Sequence, residues 1–177
     1  MELERSDLEA QLEQHHTACY GWALNCCGWD RNEAEDVLHS SYLKVIDGRA
    51  VFGSRSSFKT WLFGVIRRTA AEHRRRSLIH RLWSASSLDS LPETEDPAPD
   101  PAARLRSSES RQQLVAALGM LPPRQREVLH LVFYQDLTIN EAAQVLGVSV
   151  GTARTHYERG KSRLRSTLKL EDHDESQ

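Results

Sequence analysis

Leu8, Leu12, His15, Cys19, Trp22 and Cys26 follow one another at spacings of 4, 3, 4, 3 and 4, the repeat of one buried helix face. Ser6 and Glu9 stand as a capping box, which predicts that this helix opens there. A second helix is expected from about Asp30–Glu33, burying Ala34, Val37 or Leu38, Ser41 and Val45. Gly48 and Gly53 break the chain into a loop. Ser57 then caps a third helix, with Phe58, Trp61, Leu62, Val65 and Thr69 inward and its end placed at Arg74-Arg75-Arg76.

The pattern resumes with Leu114, Ala117, Leu118 and Leu121, a helix that Pro122-Pro123 stops while starting the next. There Val128, Leu129, Val132 and Phe133 are expected to face inward. Thr138 with Glu141 forms another capping box ahead of the short apolar run Ala142, Ala143, Val145 and Leu146. Gly147 suits a left-handed turn, and Ser149 is a good N-cap for a last helix. In that helix Ala153, Tyr157, Gly160 and Leu164 share one face, leaving Arg154, Thr155, Glu158, Arg159 and Arg163 outside. Helix, short turn, basic helix is a helix-turn-helix pattern. Strand-like alternation is missing throughout, so the expected fold is all-α.

Between the two helical stretches, residues 84–108 hold four prolines, many serines and five acids. Such a segment cannot bury a core and reads as a flexible linker. The chain is thus expected to divide into two small helical domains, residues 1–83 and 109–170, with an acidic tail at 171–177. The net charge of −2 over 177 residues hides two basic segments. Residues 1–47 carry three basic and ten acidic side chains, whereas 56–83 carry seven and one, and 148–170 six and one. Two compact basic blocks in an otherwise acidic chain suggest nucleic-acid contact at two places.

Other chemistry finds little support. Cys19, Cys26 and Cys27 make neither a disulfide framework nor a zinc-ligand spacing. Cys19 and Cys26 lie on the apolar stripe, while Cys27 falls off it and is expected to be the more exposed. There is no nucleophile–base–acid set and no phosphate-cradling glycine loop, so neither catalytic residues, metal nor cofactor is expected. No apolar run is long enough to cross a membrane, and the acidic, amphipathic start does not resemble a signal peptide. A cytoplasmic location is expected. On the last helix, arginine can grip guanine through two parallel hydrogen bonds, threonine can meet a thymine methyl and glutamate can accept from cytosine. A stand-alone DNA-binding regulator and a protein-binding adaptor share these features up to this point.

The segments AEDVLHSSYLKVI, SSFKTWLFGVIRRTAAEHRRR and LPPRQREVLHLVFYQDLTINEAAQVLGVSVGTARTHYERGKSRLR, in this order, resemble a bacterial sigma factor. More closely, they resemble the extracytoplasmic-function (ECF) group, which keeps only regions 2 and 4. The resemblance implies promoter recognition, DNA melting and transcription initiation as a dissociable subunit of RNA polymerase. Its implied partners are promoter DNA, an anti-sigma factor, and core polymerase, through the clamp helices of the largest subunit and the flap of the second-largest. Asp36, Val37, His39, Ser40, Tyr42 and Leu43 would form the clamp-docking surface, with His39 and Ser40 where the family usually has Gln and an acid. Arg55, Lys59, Trp61, Arg67 and Arg68 would meet the −10 element, where a flipped base is captured and Arg68 replaces a common Asn. Ser149, Thr152, Arg154, Thr155, Glu158 and Arg159 would read the −35 element, with Arg124 and Arg126 on nearby phosphates.

Overall fold

The computed structural model describes residues 5–84, 113–114 and 116–174. Among them the elements are helices α1 (Arg5–Cys26), α2 (Arg31–Ile46), α3 (Phe58–Ser84), α4 (Pro123–Phe133), α5 (Ile139–Leu146) and α6 (Val150–Asp174). Residues 113–114 and 116–119 are also helical. The expected linker lies outside the described residues apart from Ser84.

Local chemistry sets most of the boundaries. Asp30 caps α2, its side chain accepting the Glu33 N–H at 2.9 Å, after a tight turn in which Gly28 and Trp29 both have positive φ. Ser57 Oγ accepts the Thr60 N–H at 3.1 Å and so opens α3. Thr138 and Glu141 form the full reciprocal capping box of α5, and Gly147 closes that helix at φ 64°. Ser149 Oγ accepts the Thr152 N–H at 3.1 Å at the start of α6.

Three boundaries differ from the sequence expectation. Helix α1 already contains Ser6, so the expected Ser6–Glu9 capping box does not start it. Helix α3 runs on through Arg74–Arg76 to Ser84. Nothing in SLIHRLW interrupts a helix, since neither glycine nor proline occurs there. Its last turns leave Leu78, Ile79 and Trp83 exposed. Helix α6 likewise extends into the acidic tail, as far as Asp174.

The first half packs α1, α2 and α3 around Trp22, Val37, Leu62, Phe63 and Ile66, all fully buried. Phe63 and Ile66 are core residues that a one-stripe reading of α3 leaves out. The reason is that α3 has two buried sides: α1 and α2 cover one, and α5 of the second half covers another. Val128, Leu131, Ala142, Val145 and Ala153 accordingly join the same apolar cluster as Trp22 and Phe63. A smaller cluster of Leu118, Leu121 and Leu129 lies beneath Leu114 and Leu164.

The same double coverage corrects the expectation for α4. Phe133 is exposed, stacked on Tyr157 with ring centroids 5.8 Å apart, and Val132 is only half-buried. The buried positions are Gln125, Glu127, Val128, Leu129, His130 and Leu131. Leu129 and Gln125 face α6 near Gly160, whereas Glu127 and His130 face the first half, against Arg67 and Trp22. A helix clamped between two neighbours does not show a single-face period.

Candidate nucleic-acid interfaces

The helix-turn-helix consists of α5, the Gly147 turn and α6. Ala142, Ala143, Val145 and Leu146 of α5 bury against Ala153 of α6, which fixes the rotation of α6 about its axis. Ser149, Thr152, Arg154, Thr155, Glu158 and Arg159 then all stand exposed. Thr155 Oγ1 donates back to the Gly151 carbonyl at 3.0 Å. Glu158 pairs with Lys161 at 3.4 Å, and Lys161 also lies over the Tyr157 ring. Arg154 and Arg159 have no ion pair among the described residues, so their guanidinium forks are available to an incoming acceptor.

Of the two expected phosphate contacts, Arg124 is half-exposed and reaches Glu127 at 3.4 Å. Arg126 is half-buried, and its Nε is enclosed without a hydrogen-bond partner. Arg124 is therefore the better placed of the two for an external phosphate.

The second basic surface surrounds the loop between α2 and α3. Phe52, Phe58 and Trp61 form an aromatic cluster with centroids 5.3–5.5 Å apart. Phe58 is buried in it while Trp61 is half-exposed. Trp61 lines a recess of about 300 Å³ together with Arg49, Val51, Arg68 and Glu72. Phe63, which the sequence interleaves with the cations of α3, is fully buried against Trp22 and cannot stack on a base. Arg55 and Arg68 are exposed. Lys59 and Arg67 are not: Lys59 Nζ donates to the Gln135 carbonyl at 2.7 Å, and Arg67 Nε pairs with Glu127 Oε2 at 3.3 Å.

Sequence reasoning misses the floor of this recess. Lys44 Nζ, from α2, donates to Thr69 Oγ1 at 3.1 Å and to Glu72 Oε2 at 2.6 Å. The hydrogen bond from Lys44 holds the Glu72 carboxyl below the usual carboxylate range. A lysine and a glutamate 28 residues apart give no local signal of pairing.

On the outer face of α2, Asp36, His39 and Leu43 are exposed and Ser40 and Tyr42 half-exposed. Val37, expected on the same docking surface, is fully buried in the core. Its spacing from Ala34, Ser41 and Val45 places it on the inward stripe. His16 of α1 completes the outer surface, its Nδ1 lying 3.3 Å from the Tyr42 hydroxyl. His16, Tyr20, Glu35, Leu38, His39 and Tyr42 line a groove of about 430 Å³.

The cysteines are all buried, including Cys27, whose position off the apolar stripe predicts exposure. Burial pushes the thiols of Cys19 and Cys27 up to about 12 and that of Cys26 well above its ordinary value. Among the described residues no three His, Cys, Asp or Glu side chains converge to hold a metal ion, and no helix is long and apolar enough to cross a membrane.

Comparison with known proteins fits this layout. Residues 12–78 match the sigma-70 region 2 family and residues 111–164 the sigma-70 region 4 family. The chain is 30% identical over 141 residues to the ECF RNA polymerase sigma factor SigF of Caulobacter vibrioides, covering 79% of this chain and 73% of that one. It is 29% identical over 143 residues to the ECF RNA polymerase sigma factor SigX of Bacillus subtilis, covering 80% and 73%. Among solved structures, the sigma factor RpoE bound to the anti-sigma factor NepR from Bartonella quintana superposes with a TM-score of 0.69. That match has 23% identity and covers 93% of this chain and 98% of that one. CnrH in complex with the cytosolic domain of CnrY gives 0.64 at 20% identity, over 94% and 90%.

Proposed function

Because the chain belongs to the ECF group of RNA polymerase sigma factors, we propose that its two basic surfaces divide the work of promoter recognition. It is a transcription initiation factor, and the single observation that carries the division is the exposed face of α6. Six polar residues stand there over a helix whose other side is anchored by Ala153 and Gly160. Arg154 and Arg159 read base edges of the −35 element in the major groove, and Thr155 and Glu158 supply a methyl group and an acceptor. Arg124 meets a flanking phosphate.

The recess beside Trp61 takes the −10 element. Strand opening becomes favourable when an unstacked base is held in a pocket that compensates for lost stacking. The half-exposed Trp61 ring and the guanidinium groups of Arg55 and Arg68 supply an apolar wall and phosphate contacts for such a base. Lys44 and Glu72 set hydrogen-bonding groups at the floor.

Docking on the clamp helices of core polymerase falls to Asp36, His39, Ser40, Tyr42 and Leu43, with Val37 supporting them from within the core; the polymerase flap meets the second half. The protein acts in the bacterial cytoplasm with the polymerase and catalyses no reaction of its own. The two solved relatives are held by anti-sigma factors or a cytosolic partner domain, which supports control of this chain by a partner of that kind. Permanganate footprinting tests the proposal. Core polymerase plus this chain should render thymines in the −10 element of a cognate promoter reactive, and Trp61→Ala should abolish that reactivity at saturating protein. Full reactivity with Trp61→Ala would exclude the recess as the −10 site.

A further inference from the structure

Two of the cations assigned to the −10 element are already occupied, and their partners belong to the second half of the same chain. Lys59 Nζ is taken by the main-chain carbonyl of Gln135 at 2.7 Å. Arg67 is taken by Glu127, whose side chain is only 6% exposed against 18% for Arg67. Water screens such a pair weakly while the halves stay packed. Around these two contacts the closure continues. The Gln135 side-chain amide reaches the Ala18 carbonyl at 3.4 Å, the His130 ring lies 5.5 Å from that of Trp22, and Gln144 of α5 lines a recess with Trp61 and Arg68. The −35 face of α6 stays open throughout.

A duplex cannot be read by both halves in this arrangement. Elements near −10 and −35 are about 25 base pairs apart, which is roughly 85 Å along B-form DNA. Helices α3 and α5 pack directly on each other, and packed helices lie about 8–10 Å apart. The halves must part before both elements are engaged.

We infer that the Lys59–Gln135 and Arg67–Glu127 contacts form an intramolecular latch, in which the second half occupies the phosphate-binding cations of α3 with a carbonyl and a carboxylate. The second half is then a built-in competitor of −10 DNA, independent of any anti-sigma partner. What the latch guards rests on the −10 assignment above, whereas the closure itself does not.

The test uses the full chain with cysteines introduced at Glu35 on α2 and Arg165 on α6, both exposed. The native thiols are buried, so spin labels go to the introduced sites, and pulsed EPR reports the distance between the halves. The parent should show one short distance, and a saturating short A/T-rich single-stranded DNA should lengthen it. Glu127→Arg, which sets a guanidinium against Arg67 and Arg124, should lengthen it without DNA. The charge swap Arg67→Glu with Glu127→Arg should shorten it again, an outcome that misfolding would not give. Glu127→Arg should also bind the oligonucleotide about tenfold more tightly than Glu13→Arg, an exposed site with the same charge change, because the competent fraction rises. A short distance unmoved by saturating oligonucleotide would overturn the competition with DNA, and long distances in the parent would overturn the closure. Opening by Glu127→Arg without tighter binding would overturn its inhibitory role. If Trp61→Ala and Arg68→Ala leave oligonucleotide affinity unchanged, the −10 assignment fails and the inhibitory role with it, while the EPR distances still decide the closure.

Discussion

Gly160 crosses Gln125 so closely that a Cβ at position 160 would lie 3.3 Å from the Gln125 carbonyl oxygen and 3.1 Å from Leu129 Cδ1. Helices α4 and α6 meet at this point, so the placement of the recognition helix depends on the missing side chain. Gly160→Leu should destabilise the protein by roughly 1–3 kcal/mol through overpacking. Thermal unfolding followed by circular dichroism checks this, and an unchanged midpoint would mean that the two helices separate at little cost.

A second expectation concerns pH. His130 Nε2 lies 3.3 Å from the Gln135 amide nitrogen, which donates to it, so the buried imidazole is held neutral. Burial pushes its pKa down to about 4. In the unfolded chain the ring takes a proton near pH 6.5, whereas in the folded chain it does not until about pH 4. Its contribution is therefore intact above pH 6.5 and lost as pH falls to 4, by about 3 kcal/mol in all. Burial raises the neighbouring Glu127 carboxyl despite Arg67, which acts in the opposite direction. Urea unfolding of the parent and of His130→Phe at pH 7 and pH 4.5 isolates the histidine, because Glu127 is common to both. His130→Phe should flatten the acid loss; an equal loss in both proteins would place the sensitive group elsewhere.

How far the sequence discloses these features depends on whether their cause is local. The capping box of Thr138 and Glu141, the left-handed Gly147 and the N-cap Ser149 are interactions over three or four residues, and all are legible in the order of residues alone. The outward face of α6 follows from them. Periodicity misplaces Phe63 and Cys27 because each is buried by elements distant in sequence, whereas it puts Val37 inward and only the family resemblance sets that residue on the docking surface. The pairing of Glu127 with Arg67 spans 60 residues. The linker reading, which treats the halves as separate, gives no hint that their basic and acidic groups meet.

The thiols offer a simple check of burial. Cys19, Cys26 and Cys27 are buried with raised pKa values, and the thiolate is the reacting form. The folded protein should release no thionitrobenzoate from DTNB at pH 8 within minutes, and three equivalents in denaturant. Rapid reaction of one thiol in the folded state would show that it is not enclosed in the core.

On the docking surface, Asp36 is exposed and its replacement costs no core packing. Asp36→Arg should weaken retention of the chain by immobilised core polymerase without altering its unfolding midpoint. Retention equal to the parent would move the docking site off this face of α2.

The division of labour between the two surfaces is tested most directly by run-off transcription with purified core polymerase on a cognate promoter and on single-base variants of its −35 element. The parent should initiate from the cognate promoter, whereas core polymerase alone should not. Arg154→Ala should lower initiation by the equivalent of about 1–3 kcal/mol and relax preference at particular −35 positions. Arg124→Ala should weaken all variants evenly and reduce the salt slope by about one. Absence of promoter-dependent transcripts with the parent, or an Arg154→Ala protein that keeps its full preference and changes only in salt dependence, would refute this division.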